Sequence, residues 1–154
     1  MDNDRALHDR VTRHVANTRF PFPDQTDWPE TYRTIVNAGN PSYGIEIDGE
    51  MVFPDIVIVD DTNALREMGE IETSVSPGQL VKWAGMSKSL PFNEQDRCYS
   101  FFIYVPEGLQ EQATTLLETN EIPYAGVRSY RVESAGSVRV VPFKTPGAAK
   151  DHRE

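Results

Sequence analysis

Hydrophobic positions change period several times along the chain, and each change marks an element. Leu7, Val11, His14 and Val15 recur near the helical repeat with polar residues between them, which predicts a helix over 2–18. Residues 20–31 interleave Pro21, Pro23 and Pro29 with Phe20, Phe22 and Trp28. They predict an extended arm whose aromatics dock on the domain. Residues 31–37 read equally as a short helix or a strand. The period then falls to two. Tyr43–Ile47 alternates, Asp48-Gly49 is a two-residue hairpin signal, and Met51–Val59 and Leu65–Glu72 follow as strands around a polar turn at Asp60–Asn63. The expectation is a three-stranded antiparallel meander.

Ser76-Pro77 puts a capping residue before a first-turn proline, opening a helix to about Met86. Tyr99–Val105 is almost wholly apolar or aromatic, as expected of a central strand covered on both faces. A helix that follows Pro106-Glu107-Gly108 and runs to about Asn120, a strand over 125–132 and a strand over 138–143 that pairs with it complete the order. The reading is one α/β (α+β) domain over 1–143 with a central mixed sheet, and a disordered polar tail over 144–154.

Composition narrows the class. No apolar run approaches the roughly 20 residues of a membrane span, and the acidic start lacks the apolar stretch of a secretory signal. A single cysteine, Cys98, excludes a disulfide framework. These features point to a cytoplasmic protein that does not meet a membrane. The formal net charge is −9, which disfavours general nucleic-acid binding, a process driven by Lys and Arg on phosphates. Any such surface is local. Of the late basic residues, Arg128 and Arg131 lie three apart on a strand and face opposite sides, so at most one joins a phosphate-binding surface.

Candidate chemistry sits on the two strands around the Asp60 turn. Asp55 opens one after Pro54, and Glu70 and Glu72 close the other, fifteen residues later for Glu70. Carboxylates are costly on apolar strands unless partnered, and hard cations bind one or two carboxylates on a rigid frame. Glu70 and Glu72 share a strand face. With the turn centred on Asp61–Thr62, paired positions sum to about 123, which sets Asp55 opposite position 68 and makes Glu70 a diagonal neighbour.

Pro54-Asp55, followed after a gap by Glu70-Ile71-Glu72, resembles the PD-(D/E)xK motif of the restriction-endonuclease-like superfamily. The order α-β-β-β-α-β over residues 2–105 resembles that family's core, with an extra helix and strands beyond it. The resemblance implies a Mg²⁺- or Mn²⁺-dependent nuclease that hydrolyses DNA, with RNA as a further substrate, in which Asp55 and Glu70 bind the metal. It also allows a homodimer, since many such nucleases use two sites to cut two strands. Glu72 departs from the motif lysine. It is a candidate general base or extra ligand, and Lys82 on the next helix is the candidate for a relocated lysine. Gln79 and Trp83, at i and i+4, resemble the Q-x-x-x-Y element of RecB-type members. Gln79 is then a candidate for the metal or a phosphate, and Trp83 for buttressing a strand or stacking on a base.

Plainer readings stand beside these. Asp55 alone reads as a structural strand-edge carboxylate, and Glu70 and Glu72 as an exposed pair. His14 reads as a boundary histidine before a site residue, Cys98 as packing, Asp60 and Asp61 as turn residues, and Glu46 as a marginal extra carboxylate. The functional alternatives are a catalytically inactive nuclease-fold module that regulates or docks a partner, and an unrelated α/β domain that binds a small ligand.

Overall fold

The N-terminal stripe forms α1 (Asp2–Arg19) in the computed structural model, which describes residues 2–19, 31–90, 92–93, 98–99 and 101–144. The arm over 20–30 and the tail over 145–154 lie outside the described residues. The ambiguous stretch after the arm is a strand, β1 (Arg33–Val36). It is followed by β2 (Ile45–Ile47), β3 (Glu50–Val52), β4 (Ile56–Val59) and β5 (Leu65–Ile71). A short 3₁₀ turn at Pro77–Gln79 leads into α2 (Leu80–Lys88). Then come β6 (Phe92–Asn93), β7 (Cys98–Tyr99), β8 (Phe101–Pro106), α3 (Gln110–Thr119), β9 (Gly126–Val132) and β10 (Val138–Lys144).

Six of these strands make one mixed sheet in the order β1-β4-β5-β8-β9-β10. Pairing is antiparallel at β1–β4, β4–β5 and β9–β10, and parallel at β5–β8 and β8–β9. The parallel pairs are joined through α2 and α3, as parallel neighbours require a long crossover. The fold is therefore mixed α and β around a central six-stranded sheet.

The expected meander needs correction. Its first strand is β1, and the alternating segment around Asp48-Gly49 is a separate two-stranded hairpin, β2–β3, inserted before β4. Asp48 and Gly49 both have positive φ (51° and 83°), the backbone that a tight hairpin turn demands. The reading of 51–59 as one strand fails at Phe53-Pro54-Asp55. There Asn37 donates from Nδ2 to the carbonyls of Tyr43 (2.8 Å) and Pro54 (2.5 Å), and its Oδ1 accepts from the Ser42 and Tyr43 amides. The Asn37 amide also donates to the Asp55 carbonyl at 3.0 Å. Proline offers no N–H to a ladder, and the asparagine turns the chain there.

Alternation along the strands builds two cores. Val57, Val59, Met68, Phe101, Ile103 and Val105 pack with Trp83 and Met86 of α2 and Ala113 and Leu117 of α3. Ile56, Ile58, Ile71, Phe102 and Tyr104 pack on the other face with Val11 and Val15 of α1. Each fully buried side chain of this kind contributes about 1.5–3 kcal/mol. The aromatic strand is thus core, as its composition implies. The hairpin is seated on α2 at Gly85, where a Cβ would come within 2.6 Å of Ile47.

Candidate active site at the end of the sheet

The carboxylates meet where β5 ends beside the start of β4. Ile56 pairs with Gly69 and Val57 with Met68, so the ladder extends to Asp55 opposite Glu70. The sequence-based register, with Asp55 opposite 68, is two positions off. The cause lies in the turn. Asp60 Oδ1 accepts from the Thr62 amide, the Thr62 hydroxyl and the Ala64 amide, and Asn63 takes a positive φ of 69°. The register then shifts between Ile58 and Val59. This longer, irregular turn places Asp55 directly across from Glu70.

Main-chain amides fix the pair. Asp55 Oδ2 accepts the Ile71 amide at 2.8 Å, and Glu70 Oε1 accepts the Asp55 amide at 3.1 Å. One oxygen of each carboxylate remains, and each meets a basic side chain. Asp55 Oδ1 lies 2.9 Å from His8 Nε2 of α1, and Glu70 Oε2 lies 3.0 Å from Lys82 Nζ of α2. The two helices that cover opposite sheet faces therefore both reach this end of the sheet. Burial pushes the Glu70 carboxyl well above the usual range, the nearby Asp55 charge adds to this, and the Lys82 charge opposes it. Burial by itself lowers the Lys82 ammonium. The Glu70 and Glu72 charges outweigh that and hold it above the ordinary lysine value. His8 is raised to about 9, chiefly by its hydrogen bond to Asp55, against the opposing effect of burial.

Glu72 lies just past β5 and is fully engaged. Its Oε1 accepts from Gln79 Nε2 (2.9 Å), and its Oε2 accepts from Trp83 Nε1 (2.7 Å) and faces Lys82 Nζ at 2.8 Å. Its amide donates to the Tyr104 carbonyl and its carbonyl accepts the Tyr130 hydroxyl at 2.6 Å. Glu72 is 6% exposed. Three of the roughly four lone-pair sites of this carboxylate are therefore taken by side chains of one helical segment.

Gln79 and Trp83 converge on the site, but through Glu72. Gln79 spends its amide donors on Glu72 and the Ser74 carbonyl, and its Oε1 accepts from the Ser76 amide. No donor of Gln79 is left for a phosphate. Trp83 is wholly buried, so it buttresses the strand and presents no face to a base. Glu46 is exposed on the hairpin, outside these hydrogen bonds. Arg128 is buried with its guanidinium 5.3 Å from the Phe102 ring centre, and Arg131 is exposed and ion-paired with Glu107 and Glu133.

His8 was not among the residues singled out from sequence, where attention falls on His14. The signal for it is helical spacing: His8 shares a face with buried Thr12 and Val15, at i+4 and i+7. The Thr12 hydroxyl also donates to the His8 carbonyl at 2.8 Å.

Among the described residues no group of three or more His, Cys, Asp or Glu side chains forms a ready metal cage. The donor set still suits a hard cation, because Mg²⁺ commonly takes one or two protein carboxylates and keeps several waters. Asp55 and Glu70 are two rigidly held carboxylates, each with one oxygen directed at a basic side chain and not at the backbone. No helix among the described residues is long and apolar enough to cross a membrane. No family model, curated protein or solved structure compared with the chain gives a match.

Proposed function

We infer that this protein is a metal-dependent phosphodiesterase acting on nucleic acid, with DNA as the first substrate to test. One observation carries the reading: Asp55 and Glu70 are locked side by side at a sheet end, with the Lys82 ammonium 3.0 Å from Glu70. Asp55 and Glu70 would hold Mg²⁺ or Mn²⁺, which supplies a lowered pKa for a bound water and neutralises phosphate charge. Lys82 stays protonated, so it donates to a phosphate oxygen or orients the attacking water and does not remove its proton. This matches the relocated-lysine version of the motif, with Glu72 as neither ligand nor base. The open end of parallel strands β5, β8 and β9 is also where such sheets tend to place ligands. Exposed Arg5, Arg10 and Arg13 on α1 offer the local basic surface that an acidic chain needs.

The test is incubation with plasmid, single-stranded DNA and RNA in the presence of Mn²⁺, beside an Asp55→Ala control. Cleavage that disappears in the control supports the reading, and equal background from both proteins overturns it. A second reading, a non-catalytic module of the same architecture, is favoured by the fact that every oxygen of Asp55, Glu70 and Glu72 already has a partner within the chain. Titration calorimetry with no heat from millimolar Mg²⁺ or Mn²⁺ selects it.

A further inference from the structure

Glu72 stands where the resemblance expects a basic side chain, yet it is the most thoroughly bound carboxylate of the site. Three side chains of one helical segment end on it: Gln79 on one oxygen, Trp83 and Lys82 on the other. Two core tyrosines on neighbouring strands hold its backbone from the other side, Tyr104 through its carbonyl and Tyr130 through its hydroxyl. A lysine has four rotatable side-chain bonds and a strongly hydrated head, so its position is poorly defined unless something fixes it. Here the ammonium lies between two buried carboxylates, 2.8 Å from Glu72 and 3.0 Å from Glu70. Glu70 alone would restrain it at one point. Glu72 adds the second point, and the Trp83 indole and Gln79 amide keep Glu72 from rotating away.

We propose that Glu72 is a positioning residue whose carboxylate, clasped by Gln79 and Trp83, fixes the Lys82 ammonium beside the Asp55–Glu70 pair. The strand position and the helix position have in effect exchanged labour: the strand supplies the anchor and the helix supplies the cation. The proposal deepens the hydrolase reading and rests on it only for the catalytic consequence, since the placement of Lys82 is measurable without activity.

The experiment compares the parent with Glu72→Gln, an isosteric change that removes the charge but keeps a side chain able to bond Trp83 or Gln79. Glu72→Asp serves as the second variant should the amide disturb folding. A Trp28→Phe background leaves Trp83 as the reporter, because the chain has two tryptophans. Four quantities are read. Acetylation of Lys82 at fixed pH, quantified by peptide mass spectrometry, is expected to speed up several-fold in Glu72→Gln, with the Trp83 emission maximum shifted. Mn²⁺ affinity by calorimetry is expected to stay within about threefold, because Glu72 holds no metal. Turnover of a labelled oligonucleotide is expected to fall about 100-fold at unchanged KM, the scale of a misplaced catalytic group. Addition of Lys82→Ala should then cost little more, because the two residues act as one unit.

Unchanged Lys82 acetylation with unchanged Trp83 emission overturns the proposal. So does loss of Mn²⁺ binding, which would make Glu72 a ligand. If the parent cleaves nothing, the hydrolase reading fails by itself, and the acetylation and emission results still decide the role of Glu72.

Discussion

Asp55 and Glu70 hold each other through the backbone: the amide of Asp55 donates to the Glu70 carboxylate, and the carboxylate of Asp55 receives the amide that follows Glu70. Each side chain is held by an amide of the facing strand, so neither can turn without breaking a bond across the pair. The pair is therefore rigid before any ligand arrives, which is what a metal or phosphate site requires of its frame. Asp55→Asn should keep one acceptor oxygen for Ile71 and retain the fold, while Mn²⁺ affinity falls at least tenfold. Calorimetry alongside circular dichroism checks both halves, and unchanged affinity would separate Asp55 from any metal role.

His8 makes stability depend on pH. Its pKa is raised from 6.5 to about 9 by Asp55, so the folded state binds this proton more tightly than the unfolded chain. The stabilisation is fully present below about pH 6.5 and is lost as pH climbs through about 9. Allowing for partial solvent screening, it amounts to about 1–2 kcal/mol. Urea melts of the parent should weaken by that amount between pH 6.5 and 9.5, whereas His8→Gln should show a flatter profile. Identical slopes for the two proteins would count against the His8–Asp55 pair.

Lys82 neutralises two carboxylates that are each less than a tenth exposed. Lys82→Met removes the cation between them and should destabilise the fold by about 3–5 kcal/mol, the usual result of stranding a buried charge. A divalent cation can stand in for the missing ammonium. Millimolar Mn²⁺ should therefore raise the Tm of Lys82→Met by more than it raises that of the parent. Equal shifts in scanning calorimetry would argue that no cation enters beside Glu70.

The Trp83 indole is wholly buried with its N–H on Glu72. Trp83→Phe retains most of the apolar volume but withdraws a donor from a buried carboxylate. The expected cost is about 1–3 kcal/mol beyond the packing loss. Chemical denaturation measures it, and a cost near zero would show that Glu72 finds water in its place.

Gly85 lies within α2, where alanine ordinarily gains about 1 kcal/mol over glycine. At this position a Cβ would collide with three atoms of Ile47 at 2.6–2.8 Å. Gly85→Ala should therefore destabilise by about 1–3 kcal/mol, and Ile47→Ala in the same chain should recover part of that loss. A stabilising Gly85→Ala would show that the hairpin is not seated on α2.

Period and turn chemistry made much of the architecture legible. The apolar run of β8 from Phe101, the Asp48-Gly49 turn and the Ser76-Pro77 start, here a 3₁₀ turn into α2, lie within a few residues of where sequence patterns put them, although Tyr99 pairs in β7 and not in β8. The errors arise where the decision is made at a distance. Whether 43–47 joins the main sheet depends on Asn37, which redirects the chain at Pro54, and nothing local to 43–47 reports that. The register of β4 on β5 depends on how Asp60 ties its turn, and a count from the turn centre cannot see the extra residues it absorbs. At this sheet end the convergence of Asp55, Glu70 and Lys82 is legible because acidic and basic residues stand out on apolar elements. His8 was missed because one histidine on a polar helix does not. Trp83 takes the buttressing role of the two its spacing allows, while Gln79 faces Glu72 and not a phosphate, since sequence gives spacing without saying that Glu72 already uses its donor.

Asn37 bonds at once to the chain leaving β1 and to the chain entering β4, and so closes residues 38–54 into a loop tied at its neck. The neck holds the chain next to Asp55, and beyond it the hairpin is held again where Ile47 packs on Gly85 of α2. The hairpin is in that sense pinned twice, by the neck at its base and by its seat on the helix that carries Lys82. Its solvent face, including exposed Met51, is where a substitution leaves both pins in place. One asparagine thus couples the strand entry that carries Asp55 to a hairpin that also braces the helix carrying Lys82.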